Sequence, residues 1–363
     1  MSCAHWYCFF NKGIFSLSFT RPRQMRMQKM SWLIWLLAVM FLSGSAEAYT
    51  KEEVVKRGHL RCGVSTGTPG FASVDAEGKW TGLDVDICRA VAVATLGSPT
   101  KVEYLPLAEG ESFTALLAGE VDILSRHSTW TFTRDSALAV HFTGVSYYDG
   151  QGFMVPKKLE VKGLQDLKKV MVCGPVGAPS EQNLVDYLER NRIAFKIVPY
   201  DTLELAVKGF EKEACDLLSL QQSQLHGLRL GLVDPARTVV LPEVISKEPL
   251  GAVVRQGDDV WLNIVKWSLF AMINAEELGI SSRSAEEMRV SNKLDVRRLF
   301  GLEGAAGKSL GLKDDWAFQI IRQVGNYGEV YERNFGQRSL LKIDRGLNNL
   351  WNKGGLQYAP PFR

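Results

Sequence analysis

Short apolar runs alternate with amphipathic segments from about residue 60 onward. Leu60–Val64 predicts a buried strand, and residues 84–94 predict a helix because acidic residues stand in its first turn, where the helix dipole favours them. Further strands are predicted at residues 102–105, 121–124, 170–173, 195–198 and 216–220, and further helices at residues 113–118, 180–188 and 205–210. Because strands and helices alternate, we expect an α/β fold with largely parallel sheets and with ligand groups at the carboxyl ends of the strands.

The predicted elements fall into two groups of similar order, which indicate two lobes. Gly119-Glu-Val-Asp-Ile-Leu-Ser and Glu213-Ala-Cys-Asp-Leu-Leu-Ser occupy equivalent positions in the two groups. Strand-like stretches at residues 152–155 and 250–254 bracket the second group, so the chain would cross to the second lobe and return. Two crossings form a hinge, and a hinged cleft is typical of binding proteins. We expect the first part of lobe 1 over residues 49–152, lobe 2 over residues 153–250, and the return to lobe 1 with a C-terminal helical extension over residues 251–363.

Residues 25–48 have the three parts of a secretory signal peptide. Arg26 and Lys29 supply a cationic start, residues 32–42 form an apolar run, and Ala46-Glu47-Ala48 supplies a cleavage site. An uncleaved anchor is the alternative, but the run is shorter than the about 20 residues that a helix needs to cross a bilayer. We therefore expect the mature chain to work in the periplasm.

Removal of this leader changes the charge of the protein. Residues 1–48 carry five basic residues and one acidic residue, so a net charge of +3 for the whole chain becomes about −1 for the mature chain. A nearly neutral chain gives no electrostatic case for nucleic-acid binding. Residues 1–24 precede the cationic start of the signal peptide, and Met25 offers a more ordinary initiation site. We therefore interpret residues 1–24 as a start-site overcall, which means that translation begins after them.

Four cysteines remain in the mature chain. An even number in an oxidising compartment favours disulfides, and the absence of a Cys-x-x-Cys motif from the sequence speaks against a metal site. Four cysteines allow three pairings. The local choice is Cys62–Cys88 and Cys173–Cys215, with one bridge in each predicted lobe.

The densest polar stretch of the chain is Ser125-Arg-His-Ser-Thr-Trp-Thr-Phe-Thr-Arg134-Asp135, which follows the strand predicted at residues 121–124. Thr129 and Thr131 would place hydroxyl groups on one face of an extended segment, and Arg134 has the planar fork that binds a carboxylate. The alternative is a solvated turn in which Arg134 pairs with a structural aspartate. The spacing of these residues is equally typical of both.

Several longer motifs identify a family. They are Gly82-Leu-Asp-Val-Asp-Ile, Phe113-Thr-Ala-Leu-Leu-Ala-Gly-Glu-Val-Asp-Ile, Ser128-Thr-Trp-Thr-Phe-Thr-Arg, Tyr147-Tyr-Asp-Gly-Gln-Gly-Phe-Met-Val155, Ile245-Ser-Lys-Glu-Pro-Leu-Gly251 and Leu350-Trp-Asn-Lys-Gly-Gly-Leu-Gln-Tyr-Ala-Pro-Pro361. Together they resemble the periplasmic amino-acid-binding proteins of ABC importers (bacterial solute-binding protein family 3), and above all the general L-amino acid-binding branch. The resemblance covers nearly all of residues 50–363. It implies the two-lobed type II periplasmic-binding-protein fold, with two hinge crossings and a ligand cleft between the lobes.

The resemblance also implies which residues hold the ligand in lobe 1. The threonine and arginine that bind the ligand's α-carboxylate in this family fall on Thr129 and Arg134, and His127 and Ser128 adjoin them. The wall formed by the family's first loop falls near Thr68.

In lobe 2 the chain departs from the family pattern. Where the family has Gly-Thr-Thr at the start of a helix, this chain has Gly177-Ala178-Pro179, and Gln221 stands where the family has an aspartate that pairs with the ligand's ammonium group. A neutral amide accepts a hydrogen bond but cannot form the stronger charge-assisted pair. Either the ligand lacks a free α-ammonium group or is a modified amino acid, or the protein is a paralogue that binds plain amino acids weakly.

The resemblance implies a protein that delivers an amino acid or an amino-acid-like carboxylate to an inner-membrane ABC permease by cleft closure. It implies no enzyme activity, no catalytic residue, no metal and no cofactor, and we expect a monomer that binds no nucleic acid. Two alternatives stay open. One is a repurposed paralogue that acts as a ligand sensor, and the other is a periplasmic dehydratase-like enzyme, for which His127 is the tempting acid or base.

Overall fold

The structure, a computed structural model, describes residues 49–175, 180–305 and 307–363. The predicted signal peptide at residues 25–48 and the predicted site residue Ala178 lie outside these ranges. Within them, no helix combines the length and the apolar composition that a membrane span requires.

The described elements follow the predicted alternation closely. The strands are β1 (Leu60–Val64), β2 (Ser73–Val74), β3 (Trp80–Thr81), β4 (Val102–Pro106), β5 (Ile123–Thr129), β6 (Val140–Phe142), β7 (Tyr147–Asp149), β8 (Gln151–Pro156), β9 (Lys169–Pro175), β10 (Ala194–Tyr200), β11 (Leu217–Gln221), β12 (Thr238–Val240) and β13 (Glu248–Arg255). The α-helices are α1 (Thr50–Arg57), α2 (Leu83–Leu96), α3 (Glu109–Leu117), α4 (Phe132–Ala137), α5 (Ser180–Arg190), α6 (Leu203–Glu211), α7 (Gln222–Leu230), α8 (Asp259–Glu277), α9 (Ala285–Met288), α10 (Leu294–Leu299), α11 (Trp316–Gln323) and α12 (Tyr327–Asn334). Short 3-10 helices lie at Lys157–Leu159, Leu164–Asp166, Pro235–Arg237, Lys308–Leu310, Gly346–Asn348 and Trp351–Lys353.

Most of these strands form two mixed sheets. The first has the strand order β4-β1-β5-β13-β6, with β7 also paired to β13, and the second has the order β10-β9-β11-β8-β12. In each sheet three neighbouring strands are parallel, whereas β13 and β8 run antiparallel to their neighbours. The sequence predicted largely parallel sheets. The difference arises because each of these strands follows a crossing. β8 begins beside the end of β11, and β13 begins beside the end of β5, so each runs in the opposite direction to that neighbour.

Two segments cross between the sheets. The first crossing passes through Gly150, between β7 and β8, and the second connects β12 to β13. A Cβ atom at Gly150 would lie 2.8 Å from the carbonyl oxygen of Ser246, so the two crossings touch where a larger residue would clash. The N–H of Gln151 donates to Ser246 Oγ at 3.0 Å, which ties the crossings together. The lobe limits at residues 152 and 250 stay a prediction.

The helix α2 is buried along most of its length because it lies between the first sheet and the helices α8 and α11. A disulfide joins Cys62 of β1 to Cys88 of α2. A second disulfide joins Cys173 of β9 to Cys215, which precedes β11. The predicted pairing of the cysteines is therefore confirmed, and each bridge lies within one sheet and the segments packed on it.

The C-terminal extension packs against the first crossing. The N–H of Tyr148 donates to Asn348 Oδ1 at 2.7 Å, and Asn348 Nδ2 donates to the Tyr148 carbonyl at 3.0 Å. The hydroxyl of Tyr327 donates to the carbonyl of Ser146 at 2.8 Å. These bonds fix the position of β7, from which the chain enters the crossing.

Candidate functional site

The strand β5 is longer than predicted and carries most of the polar stretch. The sequence predicted a strand ending at residue 124, whereas β5 continues to Thr129. The extension is stabilised by β13, in which Leu250 pairs with Thr129 and Gly251 pairs with Ser128. The polar residues therefore lie on a sheet edge that a distant segment of the chain supports.

The pairing of β5 with β13 is interrupted by a bulge. Gly251 faces Ser128 and Val253 faces Leu124, so a single β13 residue lies opposite residues 125–127. His127 has a φ of 41°, in the left-handed region that few residues with a side chain adopt. A bulge of this kind redirects neighbouring side chains. Four consecutive residues, 126–129, line the same cavity, whereas the side chains of a regular strand alternate between the faces of the sheet.

This cavity has a volume of about 50 Å³ and lies between residues of both sheets. Its lining residues are Glu109, Ser112, Phe113, Arg126, His127, Ser128, Thr129, Arg134, Gln221 and Gln224. The structure thus brings together His127, Ser128, Thr129, Arg134 and Gln221, all of which the sequence singled out. The sixth predicted residue, Thr68, lies in the loop after β1, where its backbone pairs with Ala72, and it does not line the cavity.

Arg134 lies in α4, a short helix that the sequence analysis did not predict. The Thr131 side chain accepts from the Arg134 N–H at 3.3 Å and caps this helix. The guanidinium donates through Nη1 to the Thr129 carbonyl at 3.1 Å and through Nη2 to Glu109 Oε1 at 3.2 Å. It also lies over the ring of Phe113, 5.3 Å from the centroid. The acidic partner of Arg134 is thus a glutamate of α3 and not an aspartate of its own turn.

His127 faces a buried carboxylate. Its Nδ1 lies 3.6 Å from Oδ2 of Asp84, whose side chain is 1% exposed. Neither atom makes a hydrogen bond to the described residues, whereas Asp84 Oδ1 accepts from Ser125 Oγ at 3.2 Å. The His127 ring packs on Phe71, with the centroids 4.9 Å apart. The imidazole is therefore held between Asp84 and the core, at the inner end of the cavity.

Arg126 was not among the predicted site residues. Its Nε donates to the Leu107 carbonyl at 3.0 Å, and no acidic side chain of the described ranges forms an ion pair with it. Burial lowers the pKa of Arg126, since the charged form loses water contacts. The sequence analysis missed this residue because it assigned the site from the family's carboxylate-binding positions and their neighbours, and none of these fell on position 126.

Neutral amides form the opposite wall of the cavity. Gln221 ends β11, where it pairs with Gln151, and Gln224 belongs to α7. Gln221 Oε1 is buried and has no hydrogen-bond partner among the described residues. Asn183 of α5 donates to Gln151 Oε1 at 3.3 Å, which continues the row of amides behind Gln221. These groups can accept from an ammonium group or donate to an anion without contributing charge.

The set of lining groups suits the binding of a carboxylate. Arg126 and Arg134 supply guanidinium donors, and Ser128 and Thr129 supply hydroxyl groups. Glu109 is the one acidic residue among the described residues that line the cavity. Within the same ranges, no group of three or more His, Cys, Asp or Glu side chains is arranged to hold a metal ion.

The chain is similar to several characterised proteins. A model of the bacterial extracellular solute-binding proteins, family 3, matches residues 60–283. The chain is 50% identical over 323 residues to the general L-amino acid-binding periplasmic protein AapJ of Rhizobium johnstonii, covering 88% of this chain and 95% of AapJ. It is 45% identical over 338 residues to the glutamate/glutamine/aspartate/asparagine-binding protein BztA of Rhodobacter capsulatus, covering 93% of this chain and 100% of BztA.

A solved structure of the same kind is similar along most of the chain. It is an ABC transporter periplasmic binding protein from Brucella ovis with glutathione bound, with a TM-score of 0.81 and 47% sequence identity. The match covers 87% of this chain and 100% of that chain. The fold is therefore the two-lobed α/β fold of type II periplasmic binding proteins, as predicted.

This chain belongs to the bacterial extracellular solute-binding proteins of family 3. Within the family it is an amino-acid-type binding protein of an ABC importer, and the family prediction made from the sequence motifs is confirmed.

Proposed function

We propose that the protein captures an amino acid or an amino-acid-like carboxylate in the periplasm and delivers it to the inner-membrane permease of an ABC importer. The observation that carries this proposal is the cavity in which Arg134, Thr129 and Ser128 face Gln221 from the other sheet. A guanidinium fork with neighbouring hydroxyl groups binds and orients a carboxylate. The names of AapJ and BztA, which state amino-acid ligands, support the same class of ligand.

The mechanism that we infer is closure of the cleft without a chemical step. A cavity of about 50 Å³ is far smaller than the roughly 300 Å³ or more of a ligand pocket, so the lobes must separate to admit a ligand. The crossings at Gly150 and Ser246 would act as the hinge. A ligand that touches both lobes in the closed state alone binds that state more tightly and shifts the open–closed equilibrium toward it.

Recognition of an ammonium group would rest on a neutral acceptor. Gln221 Oε1 is buried and unpaired within the described residues, so it can accept an N–H of the ligand, but more weakly than a carboxylate could. We therefore propose an amino-acid derivative, or weak binding of plain amino acids. The Brucella ovis relative has glutathione bound, which is a modified amino acid that keeps a free ammonium group.

We further propose export through the predicted signal peptide and action as a monomer. The proposed location agrees with AapJ, which is described as periplasmic. Import and sensing make different predictions for a strain that lacks the gene. Loss of uptake of the ligand would support import, whereas unchanged uptake would support a sensor.

Ligand binding is tested by the melting temperature of the exported protein with each L-amino acid, N-acetyl amino acids, glutathione and small dicarboxylates. Binding to the native state raises the melting temperature, so we expect at least one of these ligands to do so. The substitution Arg134→Gln should abolish the rise. Arg322→Gln, on the exposed surface of α11, is the matched control and should preserve it. A panel that leaves the melting temperature unchanged throughout would overturn the proposed function.

A further inference from the structure

We propose that the ligand of this cleft carries two carboxylates, and that Arg126 binds one while Arg134 binds the other. The proposal rests on the proposed function, since it names the class of carboxylate that the same cavity takes. It starts from the presence of two guanidinium groups at one small cavity, lined by a single acidic residue among those described.

Arg126 and Arg134 reach the cavity from two different elements, β5 and α4. In a regular strand, residues 126 and 127 would point to opposite faces. The left-handed backbone of His127 and the unequal pairing with β13 remove this alternation, so Arg126 and His127 both line the cavity. Arg134 reaches it independently from α4. The cavity therefore receives one guanidinium group from β5 and a second one from α4.

The two arginines differ in how their charges are balanced. Arg134 pairs with Glu109, whereas Arg126 makes its described contact with the carbonyl of Leu107. Asp84 approaches from α2, but one of its oxygens accepts from Ser125 and the other faces His127. The carboxylates of Glu109 and Asp84 stabilise the charge of Arg126 from beyond ion-pair distance, but burial outweighs them. A carboxylate that bonds directly to Arg126 would offset more of this cost.

The remaining groups around the cavity favour an anionic ligand. Gln221 and Gln224 of the opposite wall are neutral, so they neither balance nor repel a carboxylate. The Glu109 side chain is 71% exposed, and an ion pair of this kind with Arg134 is weak. A ligand carboxylate can therefore take the place of Glu109 on Arg134 while the second carboxylate pairs with Arg126.

A purely structural role for Arg126 is the competing explanation, because its Nε bonds to the Leu107 carbonyl. The two roles make different predictions. A structural role would weaken every ligand alike and lower the melting temperature of the free protein. A binding role would weaken only those ligands that carry a second carboxylate.

The test compares acids with their amides by titration calorimetry on the exported protein. L-Glutamate is paired with L-glutamine, and γ-glutamylglycine with its C-terminal amide, so that two separations of the carboxylates are sampled. For the wild-type protein we expect at least one acid to bind about 10-fold or more tightly than its amide. Arg126→Gln should weaken that acid by about 30-fold and change the amide by less than about 3-fold.

Two further variants complete the design. Arg322→Gln removes the same charge far from the cavity and should leave the acid preference unchanged. Arg126→Lys keeps the charge without the fork, and it should give an intermediate loss even if Arg126→Gln does not fold.

The outcomes separate this inference from the proposed function. Equal weakening of acid and amide by Arg126→Gln, or a wild-type protein that prefers a ligand with one carboxylate, would overturn the inference and leave the proposed function standing. Failure of the wild-type protein to bind any amino acid or carboxylate would overturn both.

Discussion

At the scale of single residues, the carboxylate contact that we propose for Arg134 depends on the geometry of its guanidinium group. Arg134 donates in two directions, to the Thr129 carbonyl and to Glu109, and lies over Phe113. A lysine in this position would keep the charge but could not present two parallel donors. Shape, rather than charge alone, should therefore decide the affinity.

Replacement of this fork tests that reasoning. We expect Arg134→Lys to lower the affinity for a carboxylate ligand by ~100-fold or more, because the paired N–H donors are lost. The melting temperature of the free protein should change little, since Glu109 is largely exposed. Titration calorimetry of the variant and of the control Arg322→Lys measures the effect. An unchanged affinity would move the carboxylate site away from Arg134.

Two partly buried titratable residues, Asp149 and His226, give the protein opposing responses to pH. Burial raises the pKa of Asp149 to about 6, with a smaller contribution from Glu248 on the second crossing. Burial also lowers the pKa of His226, in α7, to about 4. Asp149 thus binds a proton more tightly in the folded state than in the unfolded state. His226 binds a proton less tightly in the folded state than in the unfolded state. The stability contribution of Asp149 falls, and that of His226 rises, as pH increases from about 4 to about 6.

Single variants should reveal the two opposing slopes. As pH rises from about 4.5 to about 7, the stability of Asp149→Asn should increase more than that of the wild type. The reason is that the variant lacks the loss of stability that Asp149 causes over this range. His226→Gln should have the opposite effect. Melting temperatures across this range provide the measurement, with the exposed Asp135→Asn as the control. Parallel profiles for wild type and both variants would contradict the assignment.

At the scale of elements, the start of α7 links the hinge to the site. Asp149 of the first crossing accepts from the Ser223 hydroxyl and from the Gly150 N–H, the latter at 2.9 Å. Gln221 occupies the N-cap position of α7 and makes no side-chain capping bond. The side-chain oxygen Oε1 of Gln221 is buried and accepts no hydrogen bond from the described residues. A substitution at this position can therefore test helix capping and the proposed ligand contact together.

A carboxylate at this position should change both properties in separable ways. Gln221→Asp should stabilise the free protein by about 1 kcal/mol, because aspartate is a favourable N-cap. It should also strengthen binding of ligands with a free ammonium group by about 10-fold, through a charge-assisted bond. N-acetyl amino acids, which lack the ammonium group, are the control and should show no such gain in calorimetry. An equal gain for both kinds of ligand would show that Gln221 does not face the ammonium group.

At the scale of the whole molecule, the loop after β1 lies against α7. A Cβ atom at Gly227 would lie 3.3 Å from Cγ of Pro69, a contact tighter than most side chains make. Gly227 belongs to the α7 helix on the second sheet, whereas Pro69 belongs to the lobe of the first sheet. The absence of a side chain at Gly227 therefore allows the two lobes to approach closely.

A large side chain at this point should hold the lobes apart. We expect Gly227→Leu to lower ligand affinity by about 10-fold or more, because closure is opposed, while the helix itself tolerates leucine better than glycine. Small-angle scattering should show that the variant stays extended at a saturating ligand concentration. Gly231→Leu, at the exposed C-cap of the same helix, is the matched control. A compact Gly227→Leu complex would show that this contact does not limit closure.

Local patterns in the sequence predicted the main strands and helices of both sheets, although α4 and α7 were not predicted, and they favoured the observed cysteine pairs. The strand Leu60–Val64 was predicted at its observed bounds, and the helix predicted at residues 84–94 became Leu83–Leu96. These features depend on hydrophobic periodicity and on residues at helix ends, which act over a few positions. The cysteine pairs could be predicted for a similar reason, because each pair joins neighbouring elements of one lobe.

The sequence by itself thus determined the order of the main strands and helices and, through the family resemblance, most of the polar residues of the cleft. It favoured the observed cysteine pairs among three possible pairings. Tertiary structure decided the rest. The end of β5, its bulge and the position of Arg126 at the cavity depend on pairing with β13, which lies far along the chain. Likewise, the contact of Arg134 with Glu109 and the wall formed by Gln221 come from other elements. Such contacts follow from how strands and lobes pack, and short-range patterns carry no record of that packing because each pattern is compatible with several partners.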